Sequence, residues 1–248
     1  MPSTFQTLAV VVARAGSQGV PSKHLRNLLG RPVINYALDH ALSCPAIDRV
    51  VVSTDCPQIK ALARRRFVQT VNRPAELATS DASVQDALLH ALADVKTRGY
   101  TPDAVACIYG NVPVRPEDGL QRGIEKLYAS AADSVRSFVP VGKFHPGWMN
   151  RLSKDGVVEQ LQPGSVDRRQ NLEPLFVHDG SVLVMTRHSL ERGLETPGDP
   201  HAMFGIDRRG IEIPAESSVE IDSERDLLIA EASLRSRGVQ ADSVRMAA

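Results

Sequence analysis

Apolar and polar positions alternate along the first half of the chain so that strands and helices are predicted in turn. Leu8 to Val12 is an unbroken apolar run, the pattern of a strand buried on both faces. Val33, Ile34, Ala37, Leu38 and Ala41 then recur at helical spacing within Pro32 to Leu42. Arg49 to Asp55 predicts a second buried strand with a polar end, followed by a helix from about Gln58 to Arg66. Over Ser80 to Lys96 a stripe of Val84, Ala87, Leu88, Ala91, Leu92 and Val95 predicts a helix, with Ser80, Asp81 and Ser83 as capping candidates. Ala104 to Tyr109 reads as a strand and Glu117 to Tyr128 as an amphipathic helix. Such alternation is the mark of β-α-β units around a mostly parallel sheet, an α/β fold.

After Ser134 to Val141 the pattern loosens. Gly, Pro and Asn recur at short intervals from about 143 to 173, where Arg151-Leu152 and Val157 to Leu161 flank Ser153-Lys154-Asp155-Gly156 as a hairpin. An α/β core does not need this insertion, so an arm that packs on a second copy in a homodimer is expected. Core-like residues return at Ser181 to Met185. Val219 to Asp222 then predicts a last strand, and Ser223 with Asp226 a capping box for a closing helix.

Composition narrows the function classes. The 248 residues fit one medium α/β domain of ordinary make-up, 42% hydrophobic and 23% charged. A formal net charge of zero speaks against nucleic-acid partners, so any basic site must be local. The three cysteines, Cys44, Cys56 and Cys107, are odd in number and form no C-x-x-C pair, which argues for buried thiols rather than disulfides or zinc. No apolar run is long enough for a membrane span and no signal-type start is present, so a cytoplasmic location away from membranes is expected.

Ligands of such sheets bind at the carboxyl ends of the strands. There this chain places Ala13-Arg14-Ala15-Gly16-Ser17-Gln18-Gly19-Val20-Pro21-Ser22-Lys23, Ser53 to Asp55, Tyr109 to Arg115 and Glu220 to Asp222. Glycines beside a hydroxyl and two cations suit an anion, because backbone N–H groups can converge on its oxygens. Neither G-x-G-x-x-G nor the P-loop spacing is present, and on spacing alone a plain strand-to-helix turn with solvated charges is the better account of the loop. The other segments are equally double. Arg73-Pro74 can end a strand, Tyr109 to Pro116 can be a Gly/Pro turn, and Arg168-Arg169 can be a solvated patch. On a strand, Glu220 and Asp222 share a face and offer two carboxylates, or they cap the helix that follows.

The strings are more specific than their glycines. The opening loop resembles the A-R-x-G-S-K-G-[IV]-P-x-K-N segment of the acylneuraminate cytidylyltransferase family. Arg73-Pro74-Ala75-Glu76-Leu77-Ala78 resembles its R-P-x-E-L-A, and Tyr109 to Arg115 its Q-P-T-S-P-L-R. Arg168-Arg169-Gln170 with His178 to Ser181 is similar to R-[RQ]-Q before x-N-G-[AS], and Ser218 to Asp222 to S-x-D-I-D. The resemblance runs from about Leu8 to Glu231 and implies a Rossmann-like nucleotidyltransferase fold with a dimerisation arm. It further implies transfer of CMP from CTP to a nonulosonic sugar acid.

In that resemblance Lys23 and Arg14 are catalytic, and Ala13, Arg14, Ala15, Gly16, Ser17, Lys23, Arg73 and Ser83 hold the nucleotide. Tyr109, Asn111, Arg115, Arg168, Arg169, Gln170 and Asp179 hold the sugar acid, and Asp222 with Glu220 binds Mg²⁺. The chain departs from the family at Gln18, His24, Tyr109, Asp179 and Glu220. A non-catalytic or differently specific relative therefore stands as the alternative.

Overall fold

In the computed structural model, residues 5–16, 19–164, 168–196, 198–199 and 201–241 are described. Strand β1 (Thr7–Val12) opens the chain, and a two-stranded pair, β2 (Asn27–Leu28) and β3 (Arg31–Pro32), leads into helix α1 (Val33–Ser43). β4 (Arg49–Thr54), α2 (Pro57–Arg65), β5 (Gln69–Asn72), α3 (Val84–Thr97), β6 (Ala104–Tyr109), α4 (Gly119–Ser130) and β7 (Ser134–Pro140) follow. The hairpin of β8 (Asn150–Leu152) and β9 (Val158–Gln160) precedes β10 (Phe176–Thr186), α5 (Arg187–Arg192), β11 (Arg208–Glu212) and α6 (Glu224–Ser236).

Seven strands form one sheet in the order β11-β7-β10-β6-β1-β4-β5. Its neighbours are parallel except that β10 runs against both β6 and β7, so the sheet is mostly parallel. Burial explains the apolar runs. Ala9 and Val11 face Ile34, Leu38, Ile59 and Ile124 on one side, whereas Leu8 and Val10 face Leu88, Leu92, Met185 and Leu190 on the other. A third cluster joins Val20, Val33 and Tyr36 to Ile221, Leu227 and Leu234 and so pins α6 over the opening loop. No helix among the described residues is long and apolar enough to cross a membrane.

Two expectations change. Val219 to Asp222 is not a strand: its one ladder contact is an isolated antiparallel bridge from Val219 to Val114. Its neighbour is the Asn111 to Arg115 loop, where Pro113 lacks the N–H group a ladder needs. The extended course survives, because Val219 N–H donates to the Val114 carbonyl (3.2 Å) and Ile221 N–H to that of Asn111 (2.8 Å). Helix α3 begins at Val84 rather than near Ser80, because Ser83 Oγ accepts the Asp86 N–H (3.0 Å) and caps it there. The 143–173 segment projects its hairpin into solvent, with Leu152 72% and Val158 63% exposed.

Two histidines are held neutral. His24 is buried and its pKa falls to about 4, first through desolvation and then through the Lys23 charge. Gly110 makes room for the ring, since a Cβ there would lie 2.9 Å from His24 Cδ2. His40 falls to about 3 for the same first reason, with Arg115 as the like charge.

Two consequences for stability follow from this packing. Leu88 is fully buried between sheet and α3, so Leu88→Ala should lower unfolding free energy by about 2–5 kcal/mol in urea titrations, with an unchanged denaturant slope. Between about pH 6.5 and 4 the unfolded chain takes up a proton that folded His24 refuses, so its stabilising contribution is complete above this window and is lost as pH falls through it. His24→Asn should therefore show a shallower acid-side loss of stability than the wild type, with the remaining slope shared by His40 and the carboxylates; an identical slope would refute the assignment.

Candidate functional site

The site lies where the sheet reverses its order. β1 is flanked by β4 on one side and β6 on the other, and its register sets Val12 beside both Ser53 and Tyr109. The carboxyl ends of three adjacent strands thus open on one crevice, the position at which open α/β sheets bind ligands. A cavity of about 260 Å³ occupies it, lined by Arg14, Lys23, His24, Arg73, Thr79, Ser80, Ser83, Tyr109, Asn111 and Glu220 among others.

Each cation is placed by the backbone around it. Arg14 reaches across the crevice, and its Nη1 donates to the Thr79 carbonyl. Arg73 is buried at the end of β5, where its Nη2 donates to the Ser53 carbonyl (2.8 Å) and its Nε to Ser53 Oγ (3.1 Å). Burial lowers its pKa while the Asp55 charge opposes that shift. Lys23 Nζ pairs with Asp222 Oδ1 at 2.8 Å. Close backbone approach fixes this pair: a Cβ on Gly19 would lie 2.2 Å from the Asp222 carbonyl oxygen, so only glycine fits there.

The acidic side is built on the extended 219–222 segment. Ile221 is fully buried, and the carboxylates of Glu220 and Asp222 come from the residues on either side of it. Asn111 Nδ2 donates to Glu220 Oε1 (3.0 Å) and to the Ile221 carbonyl (3.1 Å), which ties the segment to the end of β6. Desolvation raises the Glu220 carboxyl, with the Asp222 charge adding to it and the Asn111 bond opposing. Asp226 Oδ2 accepts the N–H groups of Asp222 (3.0 Å) and Ser223 (2.7 Å), leaving the Asp222 carboxylate to Lys23. No group of three or more His, Cys, Asp or Glu with metal-holding geometry occurs among the described residues. Two carboxylates with oxygen donors alone nonetheless suit Mg²⁺, which is commonly held by one or two carboxylates and completed by phosphate and water.

The crevice therefore gathers Arg14, Lys23, Arg73, Ser83, Tyr109, Asn111 and Glu220, with Asp222 reached through Lys23. Ala13 is packed in the core and Gly16 is exposed, and neither lines the cavity; Ser17 lies outside the described residues, as does Gln18. Ala15 offers no free amide, because its N–H donates to Asp55 Oδ1 (2.8 Å).

Two of the residues expected at the sugar acid, Arg115 and Asp179, are bonded to the protein itself. The guanidinium of buried Arg115 is spent on the carbonyls of Ser181 (3.3 Å), Tyr109 (2.7 Å) and Val112, so it fastens the loop after β6. Burial brings its pKa down to about 10. Asp179 accepts from Ser137 Oγ (2.5 Å) and from Ser181 N–H (3.2 Å), which spends both its oxygens at the irregularity of β10. Arg168 and Gln170 are exposed and do not line the cavity, and Arg169 starts a short 3₁₀ turn.

Sequence reasoning missed Thr79, Ser80 and Asp55. The first two directly follow the Arg73 to Ala78 string as small polar residues between a strand and a helix, and that is the signal that could have found them. Asp55 was visible only as one polar end of a strand.

Comparison with known proteins bears on the family. A family model described as cytidylyltransferase matches residues 8–155. The chain is 25% identical over 227 residues to an N-acylneuraminate cytidylyltransferase of Streptococcus agalactiae serotype III, covering 90% of this chain and 52% of that protein. It is 32% identical over 128 residues to a pseudaminic acid cytidylyltransferase of Campylobacter jejuni, covering 50% and 53%. The chain thus spans about half the length of the curated relatives it matches. Among solved structures, a CMP:2-keto-3-deoxy-manno-octonic acid synthetase complexed with CTP shares the fold, with TM-score 0.71, 17% identity and coverage of 94% of this chain and 100% of that one. The match over 8–155, which contains the opening loop, Arg73 and the end of β6, shows that this chain belongs to the cytidylyltransferase family.

Proposed function

We propose that the chain transfers CMP from CTP to the anomeric hydroxyl of a nonulosonic, sialic-type sugar acid and releases pyrophosphate. The observation that carries this reading is the meeting of Arg14, Lys23 and Arg73 with Glu220 and Asp222 around one cavity at the carboxyl end of the sheet. The names of the two relatives given above, both sugar-acid cytidylyltransferases, support the choice of substrates.

In the reaction the anomeric oxygen bonds to the α-phosphorus, the bond to the α–β bridging oxygen breaks, and its electron pair leaves with pyrophosphate. The hydroxyl proton passes to solvent. Such a step asks the protein mainly to position the reactants and offset charge. Arg14 and the opening loop hold the triphosphate, Arg73 holds the nucleotide, and Ser83 closes the same wall. Lys23 offsets charge at the α-phosphate. Mg²⁺ on Asp222 and Glu220 would neutralise phosphate oxygens and acidify the attacking hydroxyl. Tyr109 and Asn111 face the sugar-acid end of the cavity. A planar guanidinium can grip a carboxylate with two parallel bonds, and Arg168 with Arg169 and Gln170 would supply that grip from a second copy.

The arm supports this last point. Phe144, Met149, Leu152, Val158, Phe176 and Val177 are exposed apolar side chains on or beside the 143–173 segment. Apolar surface gathered in this way marks a protein contact, and we assign it to a homodimer.

Two experiments test the reading. Pyrophosphate release, assayed with CTP, GTP, UTP and TTP against several sugar acids, should be selective for CTP; Lys23→Ala should cut turnover by about a hundredfold or more with an unshifted melting temperature. Binding of CTP without release from any pair would favour a regulatory relative instead. For the arm, light scattering should report a dimer for the wild type and a monomer for the double variant Leu152→Glu, Val158→Glu; a monomeric wild type would overturn the assembly.

A further inference from the structure

Asp55 stands at the end of β4, on the crevice side of the sheet, yet no step above uses it. Its Oδ1 accepts the N–H of Ala15 at 2.8 Å, a bond that joins residues 40 positions apart. Its charge also acts on Arg73, at the end of the next strand. Meanwhile Arg14, the residue before Ala15, extends across the cavity to the Thr79 carbonyl. Ala13 N–H, one residue earlier, is fixed by the Ser53 carbonyl (3.2 Å). The chain leaving β1 is therefore anchored on β4 twice, by a main-chain bond at Ala13 and by a carboxylate at Ala15, with Arg14 between the two anchors.

A carboxylate in an anion site is electrostatically costly. It repels the phosphates the loop would hold, and it consumes a backbone donor those phosphates would otherwise use. A group with those two penalties that nevertheless closes the loop acts through geometry. We infer that Asp55 is a positioning residue: by tying Ala15 to β4 it fixes the backbone on which Arg14 reaches the triphosphate. This rests on the reading of the crevice as a CTP site.

The two roles predict opposite signs. If Asp55 were only a negative charge near an anion, removing it would tighten CTP binding. If it positions the loop, Asp55→Ala should weaken CTP binding about tenfold in calorimetry, the size expected for one lost charge-assisted hydrogen bond. Asp55→Asn keeps an oxygen that can accept from Ala15 and drops the charge, so it should bind CTP at least as tightly as the wild type. Amide hydrogen exchange in ligand-free protein gives an independent readout: Ala15 should exchange faster in Asp55→Ala and stay protected in Asp55→Asn.

CTP binding by Asp55→Ala that equals or exceeds the wild type overturns the inference, as does Asp55→Asn binding as weakly as Asp55→Ala. Unchanged Ala15 exchange in Asp55→Ala overturns it as well. Wild-type protein that binds no CTP would instead overturn the reading of the crevice, while the exchange data would still score the tie.

Discussion

β1 is paired on both edges and covered on both faces, and that enclosure governs the rest of the molecule. A strand with helices α1 and α2 on one side and α3 and α5 on the other cannot carry polar side chains along its length without burying them unpaired. Polar chemistry is thereby excluded from Leu8 to Val12 and displaced to the first residues beyond. The parallel register then aligns that boundary in three strands at once, with Val12 level with Ser53 and Tyr109. The crevice follows from the sheet: Arg14, Asp55 and Asn111 each follow closely on an enclosed central strand, and Arg73 joins them from the end of the edge strand β5.

The walls of the crevice are then held by hydrogen bonds to backbone more than by contacts between side chains. Arg115 and Arg73 both donate to carbonyls, and each costs desolvation that lowers its pKa. Buried guanidinium groups tolerate this because five donors can be matched to fixed acceptors. The two differ in consequence. Arg73 leaves part of its side chain on the cavity, whereas Arg115 is used up in fastening the loop that carries Asn111, and Asn111 in turn fastens Glu220. Arg115 thus reaches the chemistry through two intermediaries.

Much of this fold was legible in the sequence because burial on both faces leaves an unmistakable pattern. β1, β4 and β6 are apolar runs, α1 and α3 are helical stripes, and the turn at Ser153 to Gly156 between β8 and β9 is marked by its residues. Local chemistry also revealed the end caps, as at Ser83 and Ser223. Pairing was not legible. Val219 to Asp222 has the alternation of a strand but lies beside a proline-containing loop, and a ladder needs a partner that sequence alone does not supply. The partners of long polar side chains were equally hidden. Nothing in the residue types distinguishes Arg115, bonded to carbonyls, from Arg14, which lines the cavity, and nothing in Asp179 shows that Ser137 would occupy it. A side chain's role is set by the non-local backbone that surrounds it, which is also why Asp55 was seen as a strand end and not as an anchor.

The balance of charge in the crevice has a further consequence for what it can admit. Arg14, Lys23 and Arg73 face Asp55, Glu220 and Asp222, so the site is locally as balanced as the whole chain, whose formal net charge is zero. Such a site has little field with which to draw in a bare polyanion, and Lys23 is already satisfied by Asp222 at 2.8 Å. If the crevice is the proposed CTP site, a triphosphate would either separate that pair or arrive with a cation that takes over the carboxylate. In the first case Asp222 is left beside phosphate with no partner. In the second, Asp222 and Glu220 would hold the cation, Lys23 would turn to the phosphates, and every charge would keep a neighbour of opposite sign. On the proposed reading of the crevice, charge balance would therefore favour nucleotide and divalent cation entering together, with the Lys23–Asp222 pair as the contact they would have to part.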